Sequence, residues 1–180
     1  VNVLGGVKID VTPDMADQIR KGLDFLEERN NHYLKVVTTD ETFLARTQGV
    51  GTMTKEEAIA MGCVGPVARA SNVDIDIRVH APYAGYPQFP INIVLETAGD
   101  LLARFIVRIR ETQECFRVIR QILDNLPETE LTTRMPRRIP AGETISRVEA
   151  PRGELFYFIK SNGTEQPERV KVRTPTLSNW

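Results

Sequence analysis

Three features of the sequence predict an α+β fold. Apolar residues recur at helical spacing near residues 13–38 and again near 99–126, and strand patterning from Glu143 to Arg173 doubles back on itself. The expected architecture is two long amphipathic helices, short helical pieces between them, and a small antiparallel sheet ending in a β-hairpin. At 180 residues the chain is long enough to bury a core.

The N-terminal stretch through Val11 contains Gly5-Gly6 and alternates Val7, Ile9 and Val11 with Lys8 and Asp10, a turn followed by a short strand or extended lead-in. Thr12-Pro13-Asp14 then opens the first helix with a hydroxyl cap, proline in the first turn and an acid near the positive end of the helix dipole. Met15, Ile19, Leu23, Leu26, Tyr33, Leu34 and Val37 form its expected apolar stripe. Asp40 or Thr42 starts a short helix through Arg46, Gly49-Val50-Gly51 breaks it, and Thr54 with Glu57 makes a capping box for a brief helix ending near Gly62.

Residues 63–94 are punctuated by Gly65-Pro66, Pro82, Gly85, Pro87 and Pro90, so they read as loop; such a long irregular stretch is usually functional. Within it, Val73, Ile75, Ile77 and Val79 alternate with Asp74, Asp76 and Arg78, a strand pattern.

Gly99 to Leu126 is the strongest helix, with Leu102, Phe105, Ile109, Phe116, Ile119, Leu123 and Leu126 as its stripe and Pro127 as its stop. Asp100/Arg104, Arg110/Glu114 and Arg120/Asp124 stand at i,i+4, pairs worth about 0.2–0.5 kcal/mol each, and read as a solvated helix face or as contacts to a missing partner. After a Pro-rich loop over 127–142, Glu143–Glu149 is a strand. Glu154–Ile159 is a second strand, apolar on both alternating faces and so expected to be covered on both sides. Asn162-Gly163 marks the hairpin, and the return strand is expected after Pro167, with Val170 and Val172 on one face.

The chain carries 23 basic and 24 acidic residues, a net charge of −1, which implies no general attraction to nucleic acid or membrane. No apolar run approaches the roughly 20 residues of a membrane span. VNVLGGVKID lacks the basic-then-apolar form of a signal peptide. Cys63 and Cys115 cannot form a C-x-x-C site and are expected as two buried free thiols in a reducing compartment rather than a disulfide. A start at Val and an end just after a strand suggest one piece, 1–180, of a longer protein.

Arg152, between Pro151 and Gly153, sits at the mouth of the predicted sheet. Its residues alone allow two readings: a strand-end arginine in a surface ion pair, or a permanent charge with a planar fork of donors, held by a rigid turn to face a buried anion or metal site. His80 reads as a structural or surface histidine.

Glu149-Ala-Pro-Arg-Gly-Glu154, the apolar strand, Asn162-Gly163 and Arg173-Thr-Pro-Thr176 resemble the large-subunit family shared by [NiFe] hydrogenases and the 49 kDa-type subunit of respiratory complex I. Arg46-x-x-Gly-Val-Gly51, Gly65-Pro-Val-x-Arg-Ala-Ser71, Pro82-Tyr-x-x-Tyr86 and Gly5-Gly6-Val7 are similar to the complex I-type and membrane-bound (group 4) hydrogenase branch, so the resemblance covers nearly the whole chain.

The resemblance implies that Arg152 hangs over a bimetallic centre, assisting proton transfer, with Pro151 sharing the canopy. It also implies that the nickel and iron ligands lie in R-x-C-G-x-C and D-P-C-x-x-C segments that this sequence lacks, so no cofactor is expected on this piece alone, and the piece alone is not expected to turn over. In the complex I branch the equivalent cavity takes quinone, with a His and a Tyr supplied from upstream. Three functions follow as expectations: part of an energy-converting [NiFe] hydrogenase large subunit, part of the 49 kDa-like subunit of an NADH–quinone oxidoreductase, or a non-catalytic assembly scaffold. The implied partners are a small iron–sulfur subunit, membrane subunits and a ferredoxin-type carrier or quinone, with no nucleic acid, placing the chain peripherally on the cytoplasmic face of a membrane. Apolar helix faces without partners would make the isolated piece self-associate.

Overall fold

A computed structural model describes residues 2–136 and 138–180; Arg137, read above as loop, lies outside the described residues. Strands β1 (Asn2–Val3) and β2 (Gly6–Val7) form a minute hairpin. It is stitched to the loop after the second long helix by Val7 N–H to Leu131 O at 2.9 Å and Thr133 N–H to Gly5 O at 2.8 Å. Helix α1 (Pro13–Thr39) begins as expected, with Thr12 Oγ1 accepting from the Met15 N–H. Its C-terminal residue is followed directly by Asp40, which caps α2 (Glu41–Thr47) by accepting from the Phe43 N–H at 2.7 Å. The capping box of Thr54 and Glu57 is fully formed at the start of α3 (Lys55–Ala60).

Short α4 (Pro66–Ala70) and α5 (Ile77–His80) follow, then α6 (Leu101–Asp124). The alternation over Val73–Val79 is not a strand. Val73 N–H returns to Ala68 O to close the turn after α4, and Asp76 caps α5 through the Arg78 N–H at 3.0 Å, so turn and cap chemistry outweigh the period-2 pattern.

The two long helices pack together through Ala16 and Leu23 of α1 against Phe116 and Leu123 of α6, with Val11 and Ile119 at the edge. A different face of α6 takes α4: Ala103 and Val107 close on Ala70. Two partners on two faces explain why the true buried set of α6 includes Ala103, Val107 and Val118, whereas Phe105 and Leu126 of the expected stripe remain exposed. Phe105 instead meets the Phe43 ring of α2 edge-on at 5.2 Å. Along α1, Leu23 and Val37 are buried but Met15, Ile19, Leu26 and Tyr33 are exposed.

The expected i,i+4 pairs on α6 do not form. Arg120 reaches Asp24 and Glu27 of α1 at 2.9 and 2.6 Å, and Asp124 takes Arg20 of α1 at 2.5 Å. Arg110 pairs with Glu96, and Glu114 with Arg117 one turn on. Asp100 is buried and serves as the cap of α6, accepting from the Ala103 and Gly49 N–H groups at 2.8 and 2.7 Å. Apart from Glu114–Arg117, which lies within the helix, these charges tie α6 to its neighbours.

Strands β3 (Gly142–Ala150), β4 (Gly153–Ser161) and β5 (Pro167–Arg173) form one antiparallel sheet in sequential order, and a last turn of helix, α7 (Pro175–Ser178), follows. Pro167 opens β5 opposite Ser161, one residue earlier than expected; at a strand's first position its missing N–H costs the ladder little. β4 is not covered on both sides. Leu155, Phe156, Phe158 and Ile159 are only half-buried and Tyr157 is exposed, because the described residues lay no second layer over either face. Cys63 is buried but Cys115 is exposed, and both are free thiols. None of the described helices is long and apolar enough to cross a membrane.

Candidate functional site

The turn Ala150–Gly153 joins β3 to β4, and this end of the sheet is where it meets the helices: α5 lies against β3 and α7 against β4. The contact is at the level of backbone. Gly65, just ahead of α4 with φ +66°, and Gly153, with φ +123°, approach so closely that a Cβ on Gly65 would lie 2.4 Å from the Arg152 carbonyl oxygen and from the Gly153 Cα. Both positions need glycine, for conformation and for room. Asn179 clamps the junction from the other side: its Oδ1 accepts from Val64 N–H at 2.9 Å, and its Nδ2 donates to the Arg152 carbonyl at 3.1 Å.

Two of the motif segments singled out in the sequence, Gly65–Ser71 and Glu149–Glu154, are thereby brought together, and their charged residues join in a buried network. Arg69 is 1% exposed and donates from Nε to Glu111 of α6 at 2.5 Å, and from Nη1 to Glu149 of β3 and the Ile75 carbonyl, each at 2.9 Å. Asp76 lies 3.2 Å from the same Nη1 and is held in addition by a two-pronged contact from Arg78, at 2.9 and 2.7 Å. The backbone around Glu149 is also fixed, its N–H donating to the Tyr83 hydroxyl at 3.0 Å; Tyr83 in turn stacks edge-on with Tyr86. Of the two tyrosines of the Pro82–Tyr86 motif, Tyr83 is the one that touches the network.

Arg152 and Pro151 are exposed at the rim of a cleft of about 530 Å³ whose wall is this network. Arg69, Arg78, Arg108 and Arg152 line it with Glu111, Glu149, Thr112 and Cys115. Among the described residues, neither Arg108 nor Arg152 is ion-paired. Four guanidiniums against three carboxylates, counting Asp76 behind the wall, leave the cleft net positive, the arrangement expected of a surface that faces negative charge. Burial pushes Arg108 down from its usual range; Glu111 opposes that fall, and Arg152 and Arg104 add to it. Burial raises the Glu149 carboxyl, and the nearby Asp76 charge adds to the rise against the pull of Arg69. Burial works against the charge on Arg78, but the hydrogen bonds and charge of Asp76 outweigh it and hold the group above its ordinary value.

Beyond the turn, Glu154 on β4 accepts both prongs of Arg147 at 2.6 and 3.1 Å and takes Arg173 at 3.2 Å; the Arg147 hydrogen bonds hold its carboxyl below the usual range. Arg46 and His80 stay outside the cleft, with His80 exposed and its Nδ1 3.0 Å from the Asp76 carbonyl. The described residues hold no group of three His, Cys, Asp or Glu side chains placed to bind a metal ion. Sequence reasoning placed Arg69 and Glu149 within their motifs but gave them no role. Their signal was an arginine inside an otherwise apolar Pro-Val-Ala-Arg-Ala segment, a position that has to be buried and therefore paired.

The chain is similar to known proteins over nearly its whole length. The family model of the respiratory-chain NADH dehydrogenase 49 kDa subunit matches residues 1–140 and 130–180. An NADH-quinone oxidoreductase subunit of Dehalococcoides mccartyi is 40% identical over 97% of this chain and 48% of its own length. The carbon monoxide-induced hydrogenase of Rhodospirillum rubrum is 38% identical over 98% of the chain and 49% of its own. Among solved structures, a chain of the membrane-bound sulfane sulfur reductase, an archaeal respiratory membrane complex, superposes with a TM-score of 0.89 at 30% identity, over 98% of this chain and 50% of that one. The chain spans about half the length of the curated relatives it matches. With both family-resembling segments meeting at one cleft and the match running end to end, the chain belongs to the 49 kDa subunit family of respiratory-chain NADH dehydrogenases, a family that also takes in hydrogenase relatives.

Proposed function

We propose that the chain is the middle-to-C-terminal part of the large subunit of an energy-converting [NiFe] hydrogenase. The intact complex would reduce protons or oxidise H2, exchanging electrons with a ferredoxin-type carrier through a small iron–sulfur subunit, and would sit on the cytoplasmic face of the membrane through its membrane subunits. The observation that carries this reading is the polarity of the Arg152 cleft. Its two free guanidiniums and its buried ion network suit charge and proton chemistry.

A nickel–iron centre does not fit the residues described, which offer no ligand set, so its ligands would belong to other parts of the subunit. This chain's own contribution is Arg152: a permanent charge on a turn pinned by Gly65 and Asn179, stabilising negative charge that develops opposite it, with Pro151 beside it closing the rim. The test is the purified full-length complex. Nickel in the complex and H2 formation from reduced ferredoxin are expected; absence of both overturns the reading.

A second reading is favoured by the family model and by the relatives named as NADH-quinone oxidoreductase subunits. In it the same scaffold would frame a quinone cavity, and the purified complex would reduce quinone without nickel.

A further inference from the structure

Three carboxylates and two guanidiniums meet in the network under Arg152, so one carboxylate lacks a full positive partner. Their contacts identify it. Asp76 accepts three charge-assisted contacts, two from Arg78 and one from Arg69, together with the Arg78 N–H. Glu111 takes Arg69 Nε at 2.5 Å and keeps 17% of its side chain open to water. Glu149 has one short contact, to Arg69 Nη1, and a long one of 3.3 Å from the Ile77 N–H, while its side chain is only 3% exposed. It is the least compensated of the three and faces the cleft three residues before Arg152.

We propose that Glu149 is a proton-exchanging side chain in the wall of the Arg152 cleft, taking up a proton and passing it to an acceptor in the cleft. Charged groups reach Glu149 or its side of the cleft from α4, α5, α6 and the turn. From α4 comes Arg69, already shared with Glu111 and Asp76. From α5 come the Ile77 N–H and Arg78, the latter committed to Asp76, whose backbone also holds the exposed His80. Tyr83, with Tyr86 beside it, contacts only the Glu149 backbone. From α6 come Arg108, Glu111 and Cys115, and from the turn Arg152, all on the cleft side. Burial beside a second carboxylate raises the Glu149 carboxyl, in keeping with the geometry.

In the transfer, the Glu149 O–H bond breaks with its electron pair left on oxygen, and the proton passes to a water or other acceptor in the cleft. The carboxylate so formed keeps Arg69 Nη1 as its donor, and a proton from solvent restores the acid. Arg152 then governs where the proton is needed and Glu149 supplies it. This use of the proton rests on the redox function proposed above; its residence on Glu149 does not.

The experiment takes the assembled full-length complex as wild type, Glu149→Gln and Glu149→Asp, and records infrared difference spectra across pH steps together with turnover against pH. Expected is an un-ionised carboxylic acid band that titrates above the ordinary glutamate range and is lost in Glu149→Gln, a turnover loss of about 100-fold in that variant, and recovery of much of it with Glu149→Asp. No titrating acid band assignable to Glu149 overturns the proposal, whatever reaction the complex performs. A band with unaltered turnover and pH profile in Glu149→Gln overturns its role in transfer. A complex that shows the band but neither nickel nor H2 turnover refutes the hydrogenase reading alone.

Discussion

Gly65 and Gly153 meet backbone to backbone: a Cβ built on Gly153 would stand 2.6 Å from the Gly65 nitrogen, and one on Gly65 2.4 Å from the Gly153 Cα. That contact joins the helical half of the chain to the sheet and sets the position of the Arg152 turn. Substituting alanine at either site places a side-chain-bearing residue at positive φ, which costs about 1–3 kcal/mol before the overlap is counted. Gly65→Ala and Gly153→Ala should therefore each lower the urea midpoint, whereas Gly142→Ala, where a Cβ meets nothing within 4 Å, should leave it nearly unchanged.

Arg69 is the most exacting residue of the network. Arg69→Met leaves three buried or half-buried carboxylates with Arg78 as their one guanidinium and should destabilise the chain by about 3–5 kcal/mol. Glu149→Gln leaves two carboxylates on two guanidiniums and should cost clearly less. Equilibrium unfolding of both variants measures the order.

Stability against pH should show two opposed contributions. Arg147 lowers the folded-state Glu154 carboxyl, so its contribution is complete above the ordinary glutamate range, about 4.3, and is lost as pH falls through the lowered value. Burial raises Glu149, so the folded state binds the extra proton and stability declines as pH rises from that ordinary range through the raised value. In urea titrations at a series of pH values, Glu154→Gln should flatten the acid limb and Glu149→Gln the decline above it.

Phe25, Leu26, Tyr33 and Val36 on α1 and Val170 and Val172 on β5 are exposed apolar side chains open to contact with a second molecule. The isolated chain should self-associate with rising concentration in static light scattering, and Phe25→Glu with Tyr33→Glu should shift it toward monomer.

Local chemistry was the legible part of the fold. Thr12, Asp40, Thr54 and Glu57 sit where their capping chemistry put them, and Asn162-Gly163 turns the hairpin, because each acts within a few residues. What could not be read is what depends on a distant neighbour. The charges of α6 promised i,i+4 pairs, yet Arg120 found Asp24 and Glu27 on α1, where carboxylates from a second helix converge on a guanidinium already facing them. Alternation over Val73–Val79 promised a strand until Asp76 found Arg69 and Arg78. Arg152 was read as a site from the family resemblance of its turn, its residues alone leaving a surface ion pair open, but Glu149 and Arg69 emerged only when β3 and α4 were brought side by side.

The sheet touches the helices at one end and bears the Asn162-Gly163 turn at the other, nine residues up β4. Mechanically this is a cantilever, roughly 30 Å of stiff ladder rooted at Gly153. A tilt too slight to part Gly65 from Gly153 sweeps the far tip through a wide arc, and a load applied to that tip is felt, with leverage, at Arg152.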